Sequence, residues 1–190
     1  MRRNLIIFIK NPELGKVKTR LAKNIGDKQA LEVYINLLEK TRAEVINVEA
    51  ERYLFYSKKI TEDEWDIIFF NKRVQKGESL GDKMKNAFSQ VFKENGQKTI
   101  IIGSDCYDLD AAIIKQAYTL LDKNDIVLGP ANDGGYYLLG MKTFVPSLFE
   151  NISWSTSSVL HKTLSKAIEL KLSYALTKEL IDIDNIDDLE

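Results

Sequence analysis

A chain of 190 residues, 44% hydrophobic and 29% charged, can bury one substantial core, and we expect a single domain over residues 1–190. Its 27 basic and 28 acidic residues nearly cancel, which gives no charge-based reason to expect nucleic acid or an anionic membrane surface as a partner. One cysteine and one histidine, Cys106 and His161, cannot complete a zinc site or a disulfide, so oxygen atoms must hold any metal. With no signal-like N-terminus and no long apolar run, we expect a cytoplasmic protein without membrane insertion.

The first half of the chain predicts three strands and two long helices. The β-branched run at residues 5–9 predicts a buried strand that ends before Pro12. Apolar residues at helical spacing predict amphipathic helices over residues 28–48 and 80–92. Between these helices, the alternation over residues 52–57 and the apolar run over residues 67–70 predict two more strands.

The second half continues the alternation of strands and helices. Strands are predicted over residues 99–103, 125–128 and 136–139, and strand-like runs over 172–176 and 181–183. A helix over 111–121 has Asp108 or Asp110 available as a cap, and a helix over 159–168 has Ser155 and Thr156. This order predicts an α/β fold with a mostly parallel sheet covered by helices on both faces.

Ligands of such folds gather at the carboxyl ends of the strands, so the residues after each strand are the first candidates for a site. After the first strand, residues 10–20 contain a glycine and several cations, among them Lys16, Lys18 and Arg20. Together with the N–H groups of a helix start, these cations could bind phosphate, although a solvated basic loop has the same composition. The segment is not a Walker loop, because Gly15 lacks the preceding glycine spacing and Lys16 is followed by valine.

Two further segments place a carboxylate at the end of a strand. Asp105, in Gly-Ser-Asp after the strand at 99–103, could bind a hard divalent cation, or it could simply form a turn with its own backbone. Asp133 lies at the apex of a glycine-rich stretch over residues 129–140. Glycines allow a ligand to approach the backbone closely, but Asp-Gly between apolar runs is also typical of a hairpin, which is the favoured interpretation of this stretch alone.

Near the C-terminus, Asp182 and Asp184 alternate with isoleucines and are predicted to share one face of a strand. Two carboxylates on one face repel each other unless a cation or hydrogen bonds compensate, and a solvent-facing edge strand would also fit. His161 falls within a predicted helix, and Cys106 has no partner for a nucleophilic dyad. We therefore expect both His161 and Cys106 to lie outside the chemistry.

Six motifs occur in a fixed order along nearly the whole chain. They are Lys-x-Pro-x-x-Gly-x-Val-Lys-Thr-Arg-Leu at 10–21, Gln-Lys-Gly-Glu-Ser-Leu-Gly-Asp at 75–82, Gly-Ser-Asp at 103–105, Gly-Pro-Ala-x-Asp-Gly-Gly-Tyr-Tyr-Leu-Leu-Gly at 129–140, Trp-Ser-Thr at 154–156 and Asp-Ile-Asp at 182–184. In this order the set resembles the bacterial glycosyltransferase-A-like nucleotide-diphospho-sugar transferases, relatives of the phospholactate guanylyltransferases. The chain differs from that pattern at Tyr107, where the family commonly has a proline.

The resemblance implies a single-domain glycosyltransferase-A-like fold with a mixed, mostly parallel sheet, and it implies a set of site residues. Nucleotide-binding residues would be Lys10, Gly15, Lys16, Lys18, Arg20, Gln75, Gly77, Leu80, Gly81 and Ser104. Metal ligands would be Asp105, Asp182 and Asp184, with Mg²⁺ or Mn²⁺ as the cofactor.

The function expected first is a transferase that glycosylates a small acceptor from a nucleotide-diphosphate sugar. Asp133 is the candidate base or acceptor contact, and Lys18 and Arg20 would stabilise the departing diphosphate. The alternative is a guanylyltransferase-like nucleotidyltransferase, which would join a nucleoside triphosphate to a phosphorylated small acid. A non-catalytic nucleotide-binding module is a third hypothesis.

Overall fold

The computed structural model describes residues 3–189, which form one seven-stranded sheet with helices on both faces. The strands are β1 (Asn4–Ile9), β2 (Glu51–Tyr56), β3 (Asn71–Val74), β4 (Thr99–Ile102), β5 (Ile126–Pro130), β6 (Tyr136–Met141) and β7 (Tyr174–Leu176). The α-helices are α1 (Thr19–Ile25), α2 (Asp27–Val45), α3 (Leu80–Asn95), α4 (Ala111–Leu120) and α5 (Val159–Glu169). Two short 3₁₀ helices cover Pro146–Phe149 and Ile186–Leu189.

The strand order is β3-β2-β1-β4-β6-β5-β7. β6 runs antiparallel to its neighbours β4 and β5, whereas the strand pairs on either side of it are parallel. The predicted α/β class, with a mostly parallel but mixed sheet, is therefore confirmed. Because β1 and β4 are adjacent and parallel, the segments that follow them start at the same edge of the sheet.

The two faces of the sheet bury separate parts of the core. In β1, Leu5 and Ile7 pack on one face and Ile6 on the other, as expected from the two-residue repeat of a strand. Helices α2 and α4 cover the first face with residues such as Tyr34, and α3 and α5 cover the second with residues such as Phe88. Burying one large apolar side chain such as Leu5, Ile6 or Phe88 stabilises the fold by ~1.5–3 kcal/mol.

The strand predicted over residues 67–70 is wrong. Residues 67–69 form a turn, Phe70 is buried, and the strand β3 begins only at Asn71. Ile67 and Ile68 are 77% and 79% exposed, so their apolar character does not reflect a place in the core. Asp66 explains the turn, because its Oδ1 accepts the N–H of Ile68 at 2.8 Å and its carbonyl accepts the N–H of Phe69 at 3.0 Å.

The structure also decides three smaller points of the prediction, namely the caps of two helices and the strand near the C-terminus. Asp110 caps α4 by accepting the N–H of Ile113 (2.8 Å), which decides between the two predicted caps. Ser155 and Thr156 do not cap α5; its N-cap is Ser158, which makes no capping hydrogen bond with its side chain. Residues 181–183 form no extended strand; isolated bridges join Leu180 to Ala131 and Asp182 to Cys106, in the segments that follow β5 and β4. Within residues 3–189, no helix combines the length and the apolar character needed to cross a membrane.

Candidate nucleotide-binding crevice

The cationic segment of residues 10–20 connects β1 to α1. Its beginning is anchored by Asn11, whose Oδ1 accepts the N–H of Lys58 (3.0 Å) and whose Nδ2 donates to the carbonyl of Lys59 (2.8 Å). Near its end lies Lys18, the N-cap of α1, which has a φ of 47°. A left-handed conformation is uncommon for a residue other than glycine, so the contacts of the Lys18 side chain must help to hold it.

The Lys18 ammonium group is the most deeply buried cation of the crevice, since its side chain is only 3% exposed. Its Nζ donates to the carbonyl of Ile183 (2.7 Å) and forms an ion pair with Asp105 Oδ1, and Asp184 Oδ1 lies 3.8 Å away. A buried charge is tolerated only when it is paired and hydrogen-bonded. These oxygens therefore explain why Lys18 points inward, while Arg20 stays 69% exposed and contacts Asp184 at 3.3 Å.

Asp182 lies beside Asp105, because residues 105–106 and 182–183 run next to each other. The N–H of Ile183 donates to the carbonyl of Asp105 (3.0 Å), and Cys106 Sγ donates to Asp182 Oδ1 (2.6 Å). Burial raises the pKa of Asp182 to about 6; the negative charges of Asp105 and Asp133 also raise it, against the Cys106 hydrogen bond and Lys18, which lower it. The carboxylates of the crevice are thus crowded and only partly compensated.

The crevice consists of two adjoining chambers, which share Lys10, Leu80, Met84, Tyr136, Ser155 and Asp182 as lining residues. The first chamber has a volume of about 540 Å³ and holds the cations of the N-terminal segment, namely Lys10, Lys16, Lys18 and Arg20. Facing them are Asp133, Trp154, Asp182, Asp184 and residues 155–157. The second chamber, of about 490 Å³, is lined by Tyr34, Ser57, Gln75, Ser104, Asp105 and the strand ends around them.

Gln75 and the start of α3 form one wall. Gln75 Nε2 donates to the carbonyls of Ile9 (3.1 Å) and Phe55 (3.0 Å), which fixes the segment against the ends of β1 and β2. Ser79 begins α3 with a capping box, since its hydroxyl accepts the Asp82 N–H while Asp82 accepts the Ser79 N–H. The capped start of α3 places Leu80 and Met84 at the boundary of the two chambers.

The wall opposite the cations is built by the turn between β5 and β6 and by the segment before α5. The turn is the hairpin that the sequence indicated, and Asp133 Oδ1 accepts the Gly135 N–H (2.8 Å) within it. Gly134 has a φ of 86°, and a Cβ atom at this position would lie 2.1 Å from the Ser157 carbonyl oxygen. Only glycine allows the two segments to approach so closely. The β5–β6 hairpin therefore also forms part of the wall of the first chamber.

Most of the predicted site residues line the crevice. The first chamber includes Lys10, Lys16, Lys18, Arg20, Leu80, Asp133, Asp182 and Asp184, and the second includes Gln75, Ser104 and Asp105. Gly15, Gly77 and Gly81, which were predicted to bind the nucleotide, do not line either chamber. Gly81 lies against Trp154, since a Cβ atom there would be 2.1 Å from Trp154 Nε1.

Several lining residues were not among the predicted site residues. Tyr34 is buried on the apolar face of α2, and its hydroxyl accepts the Lys10 N–H at 2.7 Å, which helps to position the cationic segment. Cys106, which was expected to lie outside the chemistry, lines neither chamber but donates a hydrogen bond to Asp182 Oδ1. His161 is exposed on α5 and lines neither chamber.

The three carboxylates expected to bind a metal converge on the crevice, but they do not form a ready-made metal site. Among residues 3–189, no three acidic, histidine or cysteine side chains are grouped closely enough to hold a metal ion. The Lys18 ammonium lies between Asp105 and Asp184 instead. Carboxylate oxygens are suitable ligands for Mg²⁺ or Mn²⁺, but in this structure two of the three carboxylates are arranged around the Lys18 ammonium group.

Comparison with solved structures supports the fold. A protein from Desulfovibrio desulfuricans G20, described as a nucleotide-diphospho-sugar transferase, superposes with a TM-score of 0.92 at 28% identity, covering 100% of this chain and 85% of that one. The inositol-1-phosphate CTP transferase from T. maritima matches with a TM-score of 0.63 at 17% identity, covering 100% and 92% of the two chains. The Rv0371C protein from Mycobacterium tuberculosis H37Rv, solved in complex with manganese, matches with a TM-score of 0.57 at 12% identity, covering 100% and 96%.

The curated proteins contain no sequence match to the chain. A family model does match residues 41–156, which is more than half of the chain, and its description is "uncharacterized protein conserved in bacteria (DUF2064)". The expected likeness to nucleotide-diphospho-sugar transferases, and with it an enzyme of the transferase type, is confirmed. The chain therefore belongs to the bacterial family DUF2064, and its fold is that of the nucleotide-diphospho-sugar transferases.

Proposed function

We propose that this protein is a nucleotidyltransferase, which binds a nucleoside triphosphate in the crevice, transfers the nucleotidyl group to a small acceptor and releases pyrophosphate. One observation carries the proposal. Lys16, Lys18 and Arg20 line the first chamber but not the second, so most cations of the crevice lie away from the second chamber, whose volume of about 490 Å³ has room for a nucleoside.

The separation of these cations from the second chamber favours nucleotidyl transfer. Glycosyl transfer was the function expected first from the sequence. In glycosyl transfer the leaving group is a nucleoside diphosphate, whose charge remains next to the nucleoside. In nucleotidyl transfer the leaving group is pyrophosphate, which carries its charge beyond the α-phosphate, toward the cationic segment. The fold is also shared with a CTP transferase, which is a reason to test nucleoside triphosphates as substrates.

The charges of the crevice also support a divalent cation as cofactor. Its five cations, Lys10, Lys16, Lys18, Arg20 and Lys83, are nearly balanced by four carboxylates, Asp105, Asp133, Asp182 and Asp184. A polyphosphate alone would therefore meet little net positive charge. Asp105, Asp182 and Asp184 would hold Mg²⁺ or Mn²⁺, which when bound neutralises phosphate oxygens.

The reaction would then use the protein chiefly for positioning and charge. An acceptor oxygen attacks the α-phosphorus, the bond from this phosphorus to the bridging oxygen breaks, and pyrophosphate leaves with the bonding electrons. Lys16 and Arg20 stabilise the charge that develops on the leaving group. A phosphorylated acceptor brings no proton to remove, whereas a hydroxyl acceptor would give its proton to Asp133, which faces the cations across the first chamber.

The test is to incubate the protein and Mg²⁺ with each of four nucleoside triphosphates and a panel of sugar phosphates and phospho-acids, and to measure pyrophosphate. We expect release that depends on both the nucleotide and one acceptor class. Arg20→Ala should abolish most of it, while Lys23→Ala, an exposed cation one turn further along α1, should not. Release of a nucleoside diphosphate from a nucleotide sugar, without pyrophosphate from any triphosphate, would contradict the proposal in favour of glycosyl transfer.

A further inference from the structure

We infer that Lys18 is the resident cation of the carboxylate cluster, and that its ammonium group competes with a divalent metal ion for the same oxygens. The metal would then bind well only together with a polyphosphate, which offers Lys18 new partners. The second statement rests on the proposed function; the first rests on the contacts of Lys18 alone.

The contacts show that Lys18 fills the position between the carboxylates. Its Nζ pairs with Asp105, approaches Asp184 to 3.8 Å and donates to the Ile183 carbonyl at 2.7 Å. Carboxylate and carbonyl oxygens are the ligands that Mg²⁺ and Mn²⁺ use in proteins. A metal ion and the ammonium group cannot occupy the position between these oxygens at the same time, because they would overlap and because both are positively charged.

A metal ion alone is a poor competitor for this position. Displacing Lys18 would leave its buried ammonium group without a partner, and an unpaired buried charge is strongly destabilising. Its side chain is 3% exposed, so water does not compensate it in place. Metal binding to the nucleotide-free protein therefore includes the cost of releasing Lys18.

A polyphosphate removes that cost. Lys18 lines the same chamber as Lys16 and Arg20, so phosphate oxygens bound there could accept the ammonium hydrogens as Asp105 and Asp184 release them. The backbone of Lys18 is already in an uncommon conformation, with a φ of 47°. The geometry points to an exchange of partners when nucleotide and metal bind together. Asp105 and Asp184 then bind the metal ion, and Lys18 pairs with the phosphate oxygens instead.

The experiment measures Mn²⁺ binding to the nucleotide-free protein, using the electron paramagnetic resonance signal of free Mn²⁺. We compare wild type, Lys18→Met and Lys16→Met. Lys16→Met removes the same charge from the same segment, but Lys16 is exposed and makes no ion pair among residues 3–189. Removing a cation in contact with the metal position should tighten Mn²⁺ binding by at least ~10-fold in Lys18→Met, whereas Lys16→Met should stay near wild type.

Equal Mn²⁺ affinity for wild type and Lys18→Met would overturn the inference, as would equal tightening in Lys16→Met. Lys18→Gln, which keeps a donor toward Ile183, serves as a second variant if Lys18→Met unfolds. A measurement on wild type alone is also decisive, because micromolar Mn²⁺ binding without nucleotide would contradict a site filled by Lys18. If Lys18→Met gains affinity while wild type binds no nucleotide with Mn²⁺, the competition stands and the proposed function fails.

Discussion

Replacing Asp182 by asparagine should stabilise the folded protein at neutral pH in the absence of metal. The asparagine side chain would keep an oxygen that accepts the Cys106 hydrogen bond, so the change removes charge and preserves shape. What disappears is a partly buried carboxylate that Asp105 and Asp133 repel. A destabilising carboxylate in a crevice is expected where binding, rather than folding, requires it.

The magnitude follows from the pKa of Asp182, which burial and its neighbours raise from 3.8 to about 6. Folding then favours the protonated carboxyl. The cost is absent below pH 3.8, grows as the pH rises, and is complete above the pKa of the folded state. At 1.36 kcal/mol per pKa unit the full cost is ~3 kcal/mol, and solvent screening reduces it to ~1–2 kcal/mol.

Thermal denaturation with EDTA at pH 7.5 and pH 5 tests this prediction. For a domain of this size we expect Asp182→Asn to raise the Tm by about 3–6 °C at pH 7.5, and by about half as much at pH 5. Asp187→Asn is the control, because Asp187 is an exposed carboxylate in the same C-terminal segment. A lower Tm for Asp182→Asn at pH 7.5, or a gain that is larger at pH 5, would refute the reasoning.

Two other predictions concern the walls of the crevice. Arg20→Ala should weaken nucleoside triphosphates by about 10–100-fold in calorimetric titrations and leave nucleosides unaffected, since only phosphate carries the charge that Arg20 neutralises; equal losses for both ligands would point to a folding defect. Gly81→Ala should destabilise the fold by ~1–3 kcal/mol in urea denaturation, because its Cβ atom would lie 2.1 Å from Trp154. Gly103→Ala is the matched control, since a Cβ atom there meets nothing within 4 Å, and equal losses for both variants would rule out the Trp154 contact as the cause.

The sequence predicted the sheet well because its strands are β-branched runs between helices with clear apolar faces. The strand at residues 5–9 and the helix at 28–48 differ from β1 and α2 by at most three residues at either end. The prediction failed at residues 67–70, where the first three apolar side chains are exposed, only Phe70 is buried, and the Asp66 side chain accepts a backbone hydrogen bond of the turn. Hydrophobicity indicates a strand only when its side chains are buried.

In the site, the sequence indicated the residues but not their pairing. Residues after β1, β4 and β5 could be expected at one edge of the sheet because of the fold. The contact of Lys18 with Ile183 joins residues 165 positions apart, and that of Cys106 with Asp182 joins residues 76 positions apart. Neither contact leaves a local pattern, so a cation occupying the expected metal position could be found only in the structure.

The most direct test of the account is whether the crevice binds nucleotide phosphates together with a divalent cation. Isothermal titration calorimetry should be carried out with each of the four nucleoside triphosphates, in the presence and absence of Mg²⁺, and with the corresponding nucleosides. We expect at least one triphosphate to bind much more tightly with Mg²⁺ than without it, and far more tightly than its nucleoside. Failure of every triphosphate to bind under either condition would contradict the account.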